Sequence, residues 1–160
     1  MTYQGELILG EFQRTLDQRY RLALPAELLG PLGQSESYIL AKERLGCLSL
    51  WNADQWANSL QAGLSVVQQK IKAGKLESRV SEVQLLGRLL STRHRNVQLG
   101  DRGRLLIPEG FREFLDVEPG GEVLLIGAAL CVEIWKPAAW QKYLARRMPK
   151  FRRLFDRLSE

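Results

Sequence analysis

Basic and apolar residues take turns along Arg19–Leu24 and again along Arg102–Ile107. This period-two pattern predicts half-buried strands. On the first, Arg19 and Arg21 share one face, and Tyr20 and Leu22 the other. Arg102 and Arg104 stand against Gly103 and Leu105 in the same way. Pro25 and Pro108 end these strands, because proline offers no N–H to a ladder. Short helical pieces follow over Ala26–Leu29 and Glu109–Leu115. Two further strands come next each time: Tyr38–Ala41 with Leu48–Trp51, and Val123–Gly127 with Cys131–Trp135. Gly46 and Gly127 lie near their turns. Asn52 sits where an N-cap belongs, before a helix over Gln55–Lys72. Pro137 sits where a first helical residue belongs, before Ala138–Met148. Between these, Val80, Val83, Leu86 and Leu90 recur every three or four positions, which predicts a linker helix over about Glu77–Thr92. Ala73-Gly74-Lys75 is the expected break between the two central helices.

The pattern occurs twice because the sequence does. LDQRYRLALPAELL, from Leu16, aligns with LGDRGRLLIPEGFR, from Leu99. Leu16, Arg19, Arg21, Leu22 and Pro25 fall on Leu99, Arg102, Arg104, Leu105 and Pro108. Further on, with one inserted residue, Cys47 falls on Cys131, Trp51 on Trp135 and Trp56 on Trp140. Cysteine and tryptophan are rare, so three such coincidences in one register mark a duplicated unit.

Charge changes the picture next. The 160 residues carry a net charge of +5, and the excess lies in the second half. A sequence pI of about 9.5 agrees with binding a polyanion. Two cysteines are too few for a disulfide framework in a chain this long. Met1–Phe12 holds two glutamates and no basic cluster before an apolar run, which does not fit a signal peptide. The longest apolar run, Val123–Val132, is bounded by Glu122 and Glu133 and falls short of the ~18 residues of a membrane span. The expected compartment is the cytoplasm. His94, the only histidine, reads as a surface residue. With two distant cysteines it makes no metal-site spacing, and no nucleophile–base constellation or phosphate-cradling glycine loop is visible. Neither a metal, a cofactor, a small-molecule substrate nor an enzymatic activity is expected. Cys47 and Cys131 read as buried core thiols, and the four tryptophans as core or subunit-interface anchors.

These residues resemble a known family. GEFQRTLDQRYRLALP is similar to the opening of MraZ proteins, in which a glycine and an aromatic lead into Asp-x-x-Gly-Arg and a strand ending in proline. NVQLGDRGRLLIP is similar to the same motif repeated, and CVEIWKPAAWQKYL to the end of the second half. The resemblance runs from about Gly10 to Leu144. It implies an α+β fold with two SpoVT-AbrB-type half-domains, 11–54 and 94–137. These would form one small, swapped-hairpin-like β-barrel with flanking helices. A helical linker, 55–93, would join them, and a basic helical tail, 138–160, would follow. It also implies ring-shaped homo-oligomers bound to G-rich direct repeats of double-stranded DNA upstream of cell-division and cell-wall genes. Such proteins usually act as repressors and associate with the nucleoid.

The same resemblance places Arg21 and Arg104 on DNA-facing hairpins, with Arg19 and Arg102 beside them. Arginine pairs at i and i+2 suit a β-ribbon in a major groove, where each fork can bond guanine O6 and N7 together. Arg14, Arg93 and Arg95 flank the hairpins and suit phosphate contacts. Asp17, Tyr20, Asp101 and Gly103 are the turn-supporting positions. Two of them depart from the motif: Tyr20 replaces its first glycine, and Gly100 stands at the second aspartate position, with Asp101 one step later. Because of these departures, a ring-forming scaffold that has lost DNA binding is the alternative. The tail joins Lys142, Arg146, Arg147, Lys150, Arg152, Arg153 and Arg157 to Leu144, Phe151, Leu154, Phe155 and Leu158, with Pro149 interrupting the helix. It reads first as an amphipathic helix packed on a neighbour, and second as a further contact with DNA or an acidic partner. A membrane surface is a distant third.

Overall fold

The computed structural model describes residues 5–160. Eight strands and six α-helices follow one another: β1 (Glu11–Thr15), β2 (Arg21–Ala23), α1 (Ala26–Leu32), β3 (Tyr38–Arg44), β4 (Cys47–Asn52), α2 (Ala53–Lys72), α3 (Val80–Arg93), β5 (His94–Val97), β6 (Arg104–Leu106), α4 (Arg112–Leu115), β7 (Glu122–Gly127), β8 (Val132–Trp135), α5 (Pro137–Arg147) and α6 (Phe151–Ser159). The class is α+β, and every strand pairing is antiparallel.

Six strands form one sheet in the order β1-β7-β8-β4-β3-β5, and β2 and β6 form a separate two-stranded ribbon. The order reads the same from either end once each strand is exchanged for its counterpart in the other repeat. β1 of the first repeat pairs with β7 of the second, and β5 of the second pairs with β3 of the first. The middle seam is β4 against β8, with Ser49 opposite Glu133. The repeats are therefore interleaved. The small closed barrel implied by the resemblance is not what these strands form. β1 and β5 remain the two edges of an open sheet, and the ribbon is paired only with itself.

One face of the sheet carries the main core. Leu40, Leu48, Leu50, Val123, Leu125, Val132 and Ile134 alternate onto it and are buried. Leu22 and Leu105 cover them from the ribbon, Leu28 and Leu32 from α1, and Phe111 and Leu115 from the region of α4. Ile8 joins the same core through a bridge to Ala129. That bridge brings backbone so close that a Cβ on Gly127 would lie 2.6 Å from the Ile8 carbonyl oxygen, which only glycine allows.

The opposite face carries the tryptophans. Trp51 packs edge-to-face on Trp56 at 5.5 Å, and Trp135 on Trp140 at 5.2 Å. The helix after each β-hairpin is thus clamped by the same pair of residue types. Asn52 caps α2, its side-chain oxygen accepting from the Asp54 N–H at 3.1 Å, and Pro137 opens α5. α2 ends at Lys72 with Ala73 as its C-cap, and Gly74 (φ 71°) turns the chain. A 3-10 turn over Glu77–Arg79 then leads into α3. Cys47 and Cys131 are buried free thiols, and burial pushes both above the usual thiol range. Among the described residues, no helix is long and apolar enough to cross a membrane.

Candidate nucleic-acid interface

The ribbon is three residue pairs long: Arg21 faces Leu106, Leu22 faces Leu105, and Ala23 faces Arg104. Leu22 and Leu105 point into the core. Strand alternation therefore puts Arg21, Ala23, Arg104 and Leu106 on the outer face. Arg21 and Arg104 are diagonal neighbours there, a relation that sets Cα atoms about 7–8 Å apart. The ribbon is closed at both ends by reciprocal bonds from the flanking residues. Leu24 N–H donates to the Gly103 carbonyl at 3.0 Å, and Ile107 N–H to the Tyr20 carbonyl at 2.8 Å.

The strands are shorter than the alternation suggests. Arg19 and Tyr20 lie in the turn before β2, and Arg102 and Gly103 in the 3-10 turn before β6. Arg19 and Arg21 are therefore not two positions of one strand face, nor are Arg102 and Arg104. The reason is local. Asp17 Oδ1 accepts from the backbone N–H groups of Arg19 at 2.8 Å and Arg21 at 2.9 Å. A side chain that captures backbone donors in this way holds a turn and competes with a ladder. Antiparallel ribbon pairing starts only at Arg21, so Arg19 and Arg102 stand exposed in turns at opposite ends of the ribbon.

Asp17 also orients an arginine. Its Oδ2 accepts from Arg21 Nε at 3.1 Å. Among the described residues, both terminal nitrogens of Arg21 remain without a partner, a fork presented end-on. The Arg21 backbone N–H, first of all, holds the Asp17 carboxyl below the usual carboxylate range; the Arg19 N–H and the Arg21 guanidinium act in the same sense. The second repeat keeps the backbone part of this arrangement. Gly100 N–H donates to the Arg104 carbonyl at 2.8 Å, as Asp17 N–H does to the Arg21 carbonyl at 2.9 Å. Gly100 has no side chain to brace Arg104. The exposed Arg104 side chain has no hydrogen-bond partner among the described residues.

The two turns solve the same backbone problem with different residues. Tyr20 has φ 60°, while in the second repeat Arg102 (φ 60°) and Gly103 (φ 70°) are both left-handed. A tyrosine in that region is strained, and its ring is held in compensation: it packs against the core, and the Arg112 guanidinium lies 4.1 Å from its centroid. Arg112 is fixed in turn, donating from Nε to the Ile107 carbonyl at 2.8 Å. Sequence reading missed Arg112. Its signal would have been a cation spaced to meet the one bulky residue at a glycine position. Asp101 opens the second turn, and Gly100 before it has no side chain to cap it.

The flanking cations sit elsewhere. Arg14 lies on edge strand β1, its Nη1 donating to the Gln13 carbonyl at 2.8 Å. Arg95 lies on the opposite edge, β5, with its guanidinium 5.6 Å from the Phe111 ring. Arg93 reaches Glu43 at 3.4 Å and packs over Trp56. His94, read as a surface residue, is partly buried, its ring 5.4 Å from Trp56. On the tryptophan face, Ser49 Oγ donates to Glu43 Oε1 at 2.6 Å, and Trp135 Nε1 donates to Glu133 Oε1 at 2.9 Å. Burial, above all, pushes the Glu133 carboxyl upward. Among the described residues, no cluster of histidine, cysteine or carboxylate side chains is arranged to hold a metal ion.

Fold and surface together define a class: a duplicated α+β protein whose interleaved repeats present one outward, arginine-bearing ribbon. Residues 91–158 match the family model described as "MraZ protein, putative antitoxin-like". The chain is also similar to proteins named transcriptional regulator MraZ. That of Heliobacterium modesticaldum is 28% identical over 154 residues, covering 96% of this chain and 98% of the relative. That of Thermoanaerobacter pseudethanolicus is 25% identical over the same coverage. That of Clostridium beijerinckii is 28% identical over 137 residues, 86% of this chain and 87% of the relative. By these matches the chain is similar to MraZ proteins over nearly its whole length.

Proposed function

We propose that this chain is a transcriptional regulator that grips double-stranded DNA with the outer face of the β2–β6 ribbon. The observation that carries the reading is the meeting of Arg21 and Arg104, one from each repeat, on a single outward face. A major groove about 12 Å wide admits a two-stranded ribbon. In it the two forks reach guanine O6 and N7, and Arg19 and Arg102 extend the contact at either end. Arg14 and Arg95 act on phosphates, which position the protein without specifying sequence. Asp17, Tyr20, Asp101 and Gly103 shape the turns that aim these side chains.

One ribbon reads few base pairs, so affinity comes from several ribbons on one DNA. We assign this to a homo-oligomeric ring on G-rich direct repeats, acting as a repressor of cell-division and cell-wall genes on the cytoplasmic nucleoid. The half-domains 11–54 and 94–137 form the DNA-reading body, and the linker 55–93 and tail 138–160 the contacts between subunits. Val66, Ile71, Val80, Leu85 and Leu89 on the linker helices are exposed apolar residues, which supports that assignment.

A gel-shift titration against a G-rich direct repeat tests the reading. Arg104→Ala abolishes the shift while gel filtration shows an unchanged oligomer; Arg21→Ala weakens it. Full binding by Arg104→Ala refutes the assigned roles. An oligomer of the native chain that shifts no DNA supports the ring-forming scaffold instead.

A further inference from the structure

The ribbon's outer face is not wholly basic. Leu106 lies directly opposite Arg21 and is 48% exposed. Its counterpart in the first repeat is Ala23, opposite Arg104. The two repeats thus present the same arginine but different apolar neighbours. Directly opposed residues have Cβ atoms about 4.5–5.5 Å apart, while successive bases of one strand are about 3.4 Å apart. Leu106 therefore falls within one or two base steps of whatever Arg21 touches. The major groove offers one apolar group to such a side chain, the thymine 5-methyl.

We infer that Leu106 is a specificity-determining residue that seats on the 5-methyl group of a thymine beside the guanine read by Arg21. The inference rests on the DNA-reading ribbon proposed above. Phosphate has no apolar surface for a branched side chain, and a guanine edge shows only acceptors there. Asp17 fixes Arg21 through Nε, so the distance between fork and leucine is set before binding. At the Arg104 end, Ala23 is too short to fill the same space. The two ends of the ribbon then read different base steps, and the site of one subunit is directional.

The test uses the full chain and a duplex recovered by selection from a random pool. In single-site variants of that duplex, each thymine becomes deoxyuridine, which lacks only the methyl, or each guanine becomes 7-deazaguanine. One deoxyuridine duplex is expected to bind the native chain about fourfold less tightly, the value of one buried methyl-sized group. Leu106→Ala loses about fourfold on the parent duplex and does not distinguish thymine from deoxyuridine at that position. Ala23→Leu gains a second methyl-sensitive position. Indifference of the native chain to every deoxyuridine, or full methyl sensitivity in Leu106→Ala, overturns the inference. Sensitivity to 7-deazaguanine with indifference to deoxyuridine removes the role of Leu106 and leaves the ribbon reading intact. A selection that returns no preferred duplex removes both.

Discussion

Gly103→Ala puts a number on the second turn. Gly103 has φ 70°, and an L-residue there costs about 1–2 kcal/mol. The new Cβ would also stand 2.3 Å from Leu29 Cδ1 and 3.3 Å from the Leu24 carbonyl oxygen. The first contact is with a terminal methyl, so Leu29 moves off its rotamer for a further ~0.5–1.5 kcal/mol. The sum is roughly 1.5–3.5 kcal/mol, and at ~2–4 °C per kcal/mol for a chain of this size the melting temperature falls by at least about 3 °C. Circular dichroism melts of the native chain, Gly103→Ala and Gly103→Asn measure it. Asparagine tolerates the left-handed region better than alanine, so it falls between the two if backbone conformation dominates. The mirror substitution, Tyr20→Gly, relieves ~1–2 kcal/mol of the same strain but gives up a half-buried ring and its contact with Arg112, worth ~0.5–1 kcal/mol for the cation alone. It therefore brings no stabilisation. A Gly103→Ala chain that melts within 1 °C of native would refute the argument that these turns depend on left-handed backbone.

Other expectations test separate parts of the molecule. Trp135 is fully buried against Trp140 and Tyr143, so Trp135→Ala costs about 3–5 kcal/mol in a denaturant titration, and the more exposed Trp51 less. Because the Asp17 carboxyl is held below its ordinary value, its contribution is present above the unfolded pKa of about 3.9 and is lost as pH falls through the lower folded value. DNA affinity measured from pH 5 to 8 therefore shows no step from this residue, whereas Asp17→Ala weakens binding at every pH in that range. Glu133 is shifted the other way, chiefly by burial. Its charge opposes folding, and that penalty grows as pH rises through the raised value. Glu133→Gln accordingly raises the melting temperature at pH 7.5, and the gain shrinks toward pH 4. The two arginines assigned to phosphates, Arg14 and Arg95, give a slope of roughly −1.8 per subunit when log K is plotted against log salt; a slope near zero would rule out the electrostatic grip.

Much of the sheet was legible because its strands are locally patterned. β3, β4, β7 and β8 bury one or both faces, so apolar runs and the tryptophan register reveal them. The edge strands were not legible: Glu11–Thr15 alternates exposed with half-buried residues, and His94–Val97 has no fully buried residue. Nothing local says that each would pair with the other repeat. The arginines were found, but the extent of their strands was not. Whether Arg19 belongs to a strand depends on which backbone donors Asp17 captures, a competition that alternation does not register. Tyr20 looked incompatible with its turn because the offsetting contact, Arg112, lies on a different element.

The exchange of first strands between repeats bears on how the chain is made. β1 is synthesised before β7, yet Thr15 meets Glu122 and Glu11 meets Ile126, so its partner does not exist until the central helices and most of the second repeat have been made. The first repeat cannot finish its sheet before β7 of the second has been synthesised. Its waiting strand is short and carries Glu11 and Arg14, features that discourage pairing with a neighbouring nascent chain.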